Sequence, residues 1–410
     1  MALASTNQQA PQGNQNSKTA YSILFILGLC HLLNDTLQSV VPAMFPILEK
    51  SMGLSFTQLG LIAFALNMVS SVMQPAVGWY TDKRPMPYAL PIGLSSSLLG
   101  ILGLALAPSF WMIIISVIFI GIGSAIFHPE GSRVTHMAAG HRRGLAQSIY
   151  QVGGNSGQAL APVITALVLV PLGQFGAIWF TLVAGVAVIL LFYIASWYAS
   201  RLSLKTPVKK TKISTENKVA HSKAIKLALL ILVIIVFARS WYGSAISNFF
   251  TFFAMESYGV TIAQAQIYIF VFLLLGAVGT FFGGPLADRF GRRNVIVFSL
   301  LGSAPLTLAL PYVGPTISFV VLAIIGLILL SSFSVTVVYA QELLPGKIGT
   351  MSGLIVGLAF GMGAIGSVAL GTLIDAVGLT PTMISVSFLP LLGLLTFLLP
   401  SDEQLREWNE

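Results

Sequence analysis

The sequence predicts an all-α membrane protein in which twelve transmembrane helices form two pseudo-symmetric six-helix bundles. Three observations carry that prediction: charge is scarce, uncharged runs are long, and a short motif recurs in the two halves of the chain. Of 410 residues, 56% are hydrophobic and 8% charged, with a mean hydropathy of +0.88. Soluble domains devote about a quarter of their residues to charge. This chain cannot coat a water-exposed surface, so lipid is its solvent. Residues 144–200 and 294–341 contain no Asp, Glu, Lys or Arg. A helix needs roughly 20 apolar residues to cross the bilayer core, so each run fits about two crossings joined by a short turn.

The elements follow in chain order. Residues 1–20 are polar and read as a flexible cytoplasmic tail. The first bundle occupies 21–200, with spans near 21–44, 57–80, 88–107, 110–136, 144–170 and 175–199. Residues 201–224, RLSLKTPVKKTKISTENKVAHSKA, are the longest polar stretch between spans and read as a cytoplasmic linker. The second bundle occupies 225–400, with spans near 225–253, 262–286, 294–311, 315–341, 349–374 and 380–400, before a tail at 401–410. A signal peptide explains only one apolar segment. An outer-membrane barrel needs alternating ten-residue strands, which are not seen. Cys30 is the single cysteine, which excludes an internal disulfide and any multi-cysteine metal site.

Basic residues test the count. Of the 21 lysines and arginines, Lys50 alone falls in an odd-numbered loop, while Arg133 and Arg239 lie deep within spans. This positive-inside bias predicts that both termini are cytoplasmic. It also accounts for the net charge of +8 without nucleic acid, because basic flanks meet anionic lipid headgroups.

The halves echo one another. GWYTD at 78–82 matches GPLAD at 284–288, and HRRGLAQS at 141–148 resembles GKIGTMSG at 346–353. Duplicated six-helix halves place a substrate site between them, near the membrane midplane. Asp82, Lys83 and Arg84 in the first copy, and Asp288, Arg289, Arg292 and Arg293 in the second, are gating candidates. Each acid is expected to hold the positive N-terminus of a neighbouring span, and each base to reach headgroup phosphates.

GPLADRFGRR closely resembles the loop signature of the major facilitator superfamily; GWYTDKRPMP departs from it after Lys83. HLLNDTLQS, QPAVGWYTDKRPMP, FHPEGSRVTHMA and GLAQSIYQVGGNSG look like the fosmidomycin-resistance branch of that superfamily. The similarity runs from about residue 25 to 400, apart from the central loop. It implies the major facilitator fold in a bacterial inner-membrane carrier, working as a monomer, that exchanges a drug for protons.

Ionisable groups inside the spans are costly unless protonated, paired or facing water, so they mark candidate chemistry. His31, Asp35, Gln38 and Pro42 recur at helical spacing and form one polar stripe, with Asn34 beside it. That stripe is expected to line a central cavity; its bland alternative is a satisfied helix–helix hydrogen bond. Glu130 and Arg133 share a face of the fourth span, where they form either a packing lock or a pair that opens during transport. Asp35 and Glu130 are the proton-coupling candidates, with His31 and His128 as possible relays. No HExxH or CxxC spacing accompanies the histidines, so no metal site is expected.

Arg239 places a permanent charge in the seventh span. Together with Arg133 it is expected to attract the anionic phosphonate that the resemblance implies, or to pair with Asp35 or Glu130. Gly153 and Gly157, at GxxxG spacing and followed by Pro162, read as a close-packing surface with a compliant hinge. Neither a GxxxxGK[ST] phosphate loop nor a GxSxG elbow occurs, so neither ATP hydrolysis nor an enzyme is expected. Proton-driven drug export without a bound cofactor is the leading expectation. Proton-coupled import of an organic anion or sugar is the alternative, and a non-transporting receptor or structural protein is the third class.

Overall fold

A computed structural model describes residues 19–140, 143–203, 222–344 and 348–409. The predicted tail at 1–20 and linker at 201–224 lie largely outside the described residues, as do the side chains of Asp82 and Lys83. Among the described residues, twelve helices are long and apolar enough to span a membrane. In the first half these are α1 (Tyr21–Ala43), α2 (Phe56–Thr81), α3 (Ala89–Leu106), α4 (Phe110–Ala138), α5 (Ile149–Leu172) and α6 (Gln174–Leu202). The second half holds α7 (Lys223–Tyr258), α8 (Ile262–Phe290), α9 (Arg292–Tyr312), α10 (Pro315–Leu343), α11 (Leu354–Val377) and α12 (Leu379–Leu398). An even number of crossings brings both ends of the chain to one side, here called the terminal face.

Turn chemistry fixes where the helices begin. Before α2, Gly53 takes φ 63° and Ser55 accepts from the Gln58 amide while Gln58 accepts from the Ser55 amide. Before α8, Gly259 takes φ 64° and Thr261 forms the same reciprocal box with Gln264. Glycine adopts that left-handed backbone at little cost, and the box satisfies two donors that a helix start leaves open. Both turns lie on the face opposite the termini.

Several spans are not straight. α5 contains a π-helical segment at Thr165–Leu169, three residues beyond Pro162, whose missing N–H leaves the preceding ladder incomplete. α9 is interrupted at Gly302, α10 at Ser331, and the second half of α12 winds as a 3₁₀ helix from Leu389. The irregular turn of α5 falls beside Pro162, where the sequence suggests a compliant hinge. The breaks in α9, α10 and α12 have no such signal, because hydropathy reports where apolar residues lie and not how the backbone winds.

α1 and α5 meet along backbone. A methyl group at Gly153 would collide with the Gly28 carbonyl, and one at Gly157 with that of Leu32. Side chains larger than hydrogen would force these helices apart, and close packing of small residues is a main source of helix association in lipid.

The two halves are joined near the opposite face. Gly60 of α2 lies against the Ser367 carbonyl of α11, and Phe56 packs edge-on against Phe252 at 4.9 Å between ring centres. Asp375 of α11 sits on the N-terminus of α2, accepting from the Thr57 amide at 2.8 Å and the Phe56 amide at 3.1 Å. It also accepts from the Thr57 hydroxyl. Towards the terminal face the α2 surface becomes open, with Pro75, Ala76, Trp79 and Tyr80 exposed.

Candidate functional site

A cavity of about 280 Å³ lies between the halves and is lined from both. Its first wall carries Asp35, Gln38 and Pro42 from α1, His128 from α4 and Gln158 from α5. The predicted stripe along α1 therefore faces the cavity from Asp35 onward. His31 and Asn34 are buried behind that surface, at 2% and 0% exposure.

Asp35 is held from several sides. The amides of Asn34 and Gln158 donate to its two carboxylate oxygens, each at 3.0 Å. Nε2 of His31 lies 3.5 Å from Oδ1, and Nε2 of His128 lies 3.4 Å from the same oxygen. The other ring nitrogens face carbonyls: Nδ1 of His31 donates to Tyr150 at 2.7 Å, and Nδ1 of His128 donates to Ser124 at 2.9 Å. The His31 ring also stacks on Tyr150 at 4.0 Å. This grouping corrects the expectation that the histidines belong to no ligand constellation. Helical spacing linked His31 to Asp35 but carried no information about His128, which packing brings from another helix.

Glu130 is fully buried and lies 3.4 Å from Nε of Arg133. Arg133 reaches along α4 to the end of α2, where it donates to the Thr81 carbonyl and, at 3.1 Å, to the Thr81 hydroxyl. The expected convergence of Arg133 with Arg239 is therefore not what the fold makes. Arg133 lies five residues beyond His128, about 7.5 Å further along the helix towards the terminal face, and is engaged within its own half.

Arg239 faces the cavity from the second half. It is 3% exposed, donates to the hydroxyls of Ser332 and Thr336 at 3.3 and 3.4 Å, and stands 5.0 Å above the Phe333 ring. Among the described residues it forms no ion pair with Asp35 or Glu130, which removes that expected alternative. Nearby, Asn248 donates to Ser244 and Ser367 at 2.9 and 2.8 Å, building a neutral polar wall. Those hydroxyls and the Asn248 amide were passed over in the sequence, because isolated polar residues in a span carry no spacing signature.

At the terminal face the gating residues separate. Asp288 and Arg289 are exposed, and Arg289 lies over the Phe290 ring at 5.3 Å. The carboxylate that holds the α9 N-terminus is Asp402, not Asp288: the amides of Arg292 and Arg293 donate to it at 2.9 and 3.3 Å. Arg292 also pairs with Glu342 of α10 at 2.9 Å, and Arg293 donates to the Phe397 carbonyl of α12. Asp402 opens a short helix, Asp402–Asn409, where the sequence reading placed only a tail. Arg84 is exposed beyond α2.

Twelve spans around a charged cavity between two halves are the architecture of a membrane transporter, and the chain's family and relatives set it in that class and not among enzymes. The chain belongs to the major facilitator superfamily, whose model matches residues 24–366. It is 72% identical to the MFS-type transporter YfnC of Bacillus subtilis, over 95% of this chain and 96% of that protein. It is 44% identical to the fosmidomycin resistance protein of Escherichia coli, over 96% of each. Among solved structures, a bacterial homologue of the human lysosomal transporter Spinster superposes with a TM-score of 0.75. That match covers 93% of this chain and 98% of that one at 16% identity. The nucleoside transporter NupG gives a TM-score of 0.71 at 13% identity, covering 92% and 97%. These structural likenesses concern the fold alone.

Proposed function

We propose that this protein exports a small anionic antibiotic, fosmidomycin or a related phosphonate, in exchange for protons by alternating access. Arg239 carries the reading. A guanidinium is expensive to hold inside a membrane, and this one faces the cavity with hydroxyls as its hydrogen-bond partners and no carboxylate among the described residues. A phosphonate oxygen placed there supplies the missing counter-charge. The name of the 44% identical relative supports the same substrate class.

The drive is a proton gradient with no bound cofactor. Asp35 on the cavity wall and Glu130 beside Arg133 are the acids through which it acts, with His31 and His128 adjoining Asp35. The Lys and Arg bias supports a cytoplasmic terminal face, with both termini on that side of a bacterial inner membrane. Since the halves meet at the opposite face, the cavity is reached from the terminal side. The charged ends at Asp82, Lys83, Arg84, Asp288, Arg289, Arg292 and Arg293 close that side in the alternate state. One chain is the working unit, surrounded by lipid.

Purified protein in liposomes with an imposed pH gradient tests the proposal. Fosmidomycin should move against the proton flux, and Glu130→Gln or Asp35→Asn should uncouple the two. Movement of drug and protons in the same direction would instead establish symport. Drug flux indifferent to the gradient would reject proton coupling.

A further inference from the structure

We infer that His31, Asp35 and His128 form a binding site for one divalent transition-metal ion of the Zn²⁺ type, with three protein ligands and a fourth position open to the central cavity. The inference does not depend on the direction of transport. It shares Asp35 and the two histidines with the proton route proposed above, so a bound metal and protons compete for them, and metal binding is read without transport. One ligand atom from each residue can be chosen so that all three lie within 4.8 Å of one another. The two nitrogen–oxygen separations, 3.5 and 3.4 Å, match the edge of a tetrahedron around zinc. Metal–nitrogen bonds of about 2.0–2.1 Å give an edge of roughly 3.3 Å.

The surrounding hydrogen bonds suit the same ligand. Each imidazole donates its Nδ1–H to a backbone carbonyl, Tyr150 for His31 and Ser124 for His128. A carbonyl cannot donate, so the neutral rings turn their Nε2 lone pairs towards Asp35. Metal-binding histidines are oriented in this way, with the distal N–H anchored and the proximal lone pair free. The carboxylate is likewise held by two amide donors, from Asn34 and Gln158. Three electron-rich atoms therefore face one another, and Nε2 of His31, in a side chain 2% exposed, has no hydrogen-bond partner. Such convergence is unfavourable unless a proton or a metal ion lies between, and a metal ion can engage all three atoms at once.

Gly154 packs directly against the cluster and leaves no room there for a larger side chain. A methyl group at Gly154 would lie 2.6 Å from Nε2 of His31 and 2.9 Å from Oδ2 of Asp35. Two imidazoles and one carboxylate favour Zn²⁺, Ni²⁺ or Fe²⁺ over Mg²⁺ or Ca²⁺, which take oxygen ligands. Asp35 and His128 both line the cavity, so water or an anionic oxygen of a bound solute can complete the coordination.

The test uses full-length protein in detergent with any polyhistidine tag removed, titrated with Zn²⁺ and examined by zinc X-ray absorption. One Zn²⁺ per chain with two imidazole ligands is expected. His128→Ala, His31→Ala and Asp35→Asn should each weaken binding by more than about tenfold. Gly154→Ala, which removes no ligand, should weaken it as well. A variant lacking His136, His141 and His221 should bind as the wild type does. His128→Gln retains the side-chain bulk and separates ligand loss from misfolding. Absence of saturable Zn²⁺ binding by the wild type overturns the inference, as do fewer than two imidazoles at the bound zinc or equal binding by the wild type and the folded His128→Gln protein.

Discussion

The junction of α1 with α4 and the matching junction of α7 with α10 occupy equivalent places in the two halves, yet they hold opposite chemistry. Shifting by the 206 residues that separate Asp82 from Asp288 sets His31 and Asp35 against Phe237 and Trp241. The polar i,i+4 pair of one half is thus an aromatic i,i+4 pair in the other, whose rings lie 4.6 Å apart. Glu130 corresponds to Thr336, one of the two hydroxyl residues that accept from Arg239, while Arg239 corresponds to Leu33. One half therefore concentrates acids and imidazoles and the other presents an isolated guanidinium. Duplication supplies two matching walls, and function follows from making them electrostatically unlike across one cavity.

The largest effect is expected from erasing the cation of the second wall. Arg239→Gln should weaken phosphonate binding about 100-fold, as befits loss of a buried charged contact, and leave a neutral analogue nearly unaffected. Arg239→Lys should restore part of the difference, because an ammonium supplies charge without the paired geometry of a guanidinium. Isothermal titration with the two ligands measures both; equal losses for the phosphonate and the neutral analogue would remove Arg239 from head-group recognition.

The next effect concerns how the walls are held together. Asp375→Asn leaves the size of the side chain but removes the charge that three donors of α2 share. A tenfold shift towards a state open at the opposite face is expected, equivalent to about 1.4 kcal/mol. Spin labels at Lys50 and Val377 should report a larger population of long distances. An unchanged distribution would show that the backbone contact at Gly60 holds this end alone.

The smallest effect sharpens the contrast at the terminal face. The start of α9 is capped by Asp402, whereas no side-chain cap bonds the start of α3. Asp402→Ala should cost about 1 kcal/mol locally. Hydrogen exchange at the first-turn amides of α9 should quicken about fivefold with α3 unaltered; equal exchange in mutant and wild type would make the cap energetically silent.

Much of the scaffold was legible because its signals are local. The twelve spans follow from apolar runs, and SFTQ and TIAQ announce the helix starts at Ser55 and Thr261 as capping boxes. Those two boxes also lie 206 residues apart, a third trace of duplication that the sequence reading left unused. The site was legible only along single helices. Asp35 and Gln38 announce a cavity face through their spacing, but nothing local tells that Gln158 will grip Asp35 or that His128 will approach it. Arg133 misled for the same reason: a charge within a span signals function or pairing, and only packing shows that Thr81 and Glu130 are its neighbours. Asp375 and Asp402 escaped notice because an acid beside a turn has many uses, and the helix it caps is far away in sequence.

The bond between Asp402 and the start of α9 also imposes an order on biosynthesis. The Arg293 amide has its carboxylate partner 109 residues downstream. At about 5–20 residues per second, the ribosome takes roughly 5–22 s to deliver it. During that interval the positive end of α9 stands at the membrane surface without its native acid, open to water or to an anionic headgroup. The terminal face of the second half is therefore completed late, as a newly made segment displaces whatever first neutralised that helix end.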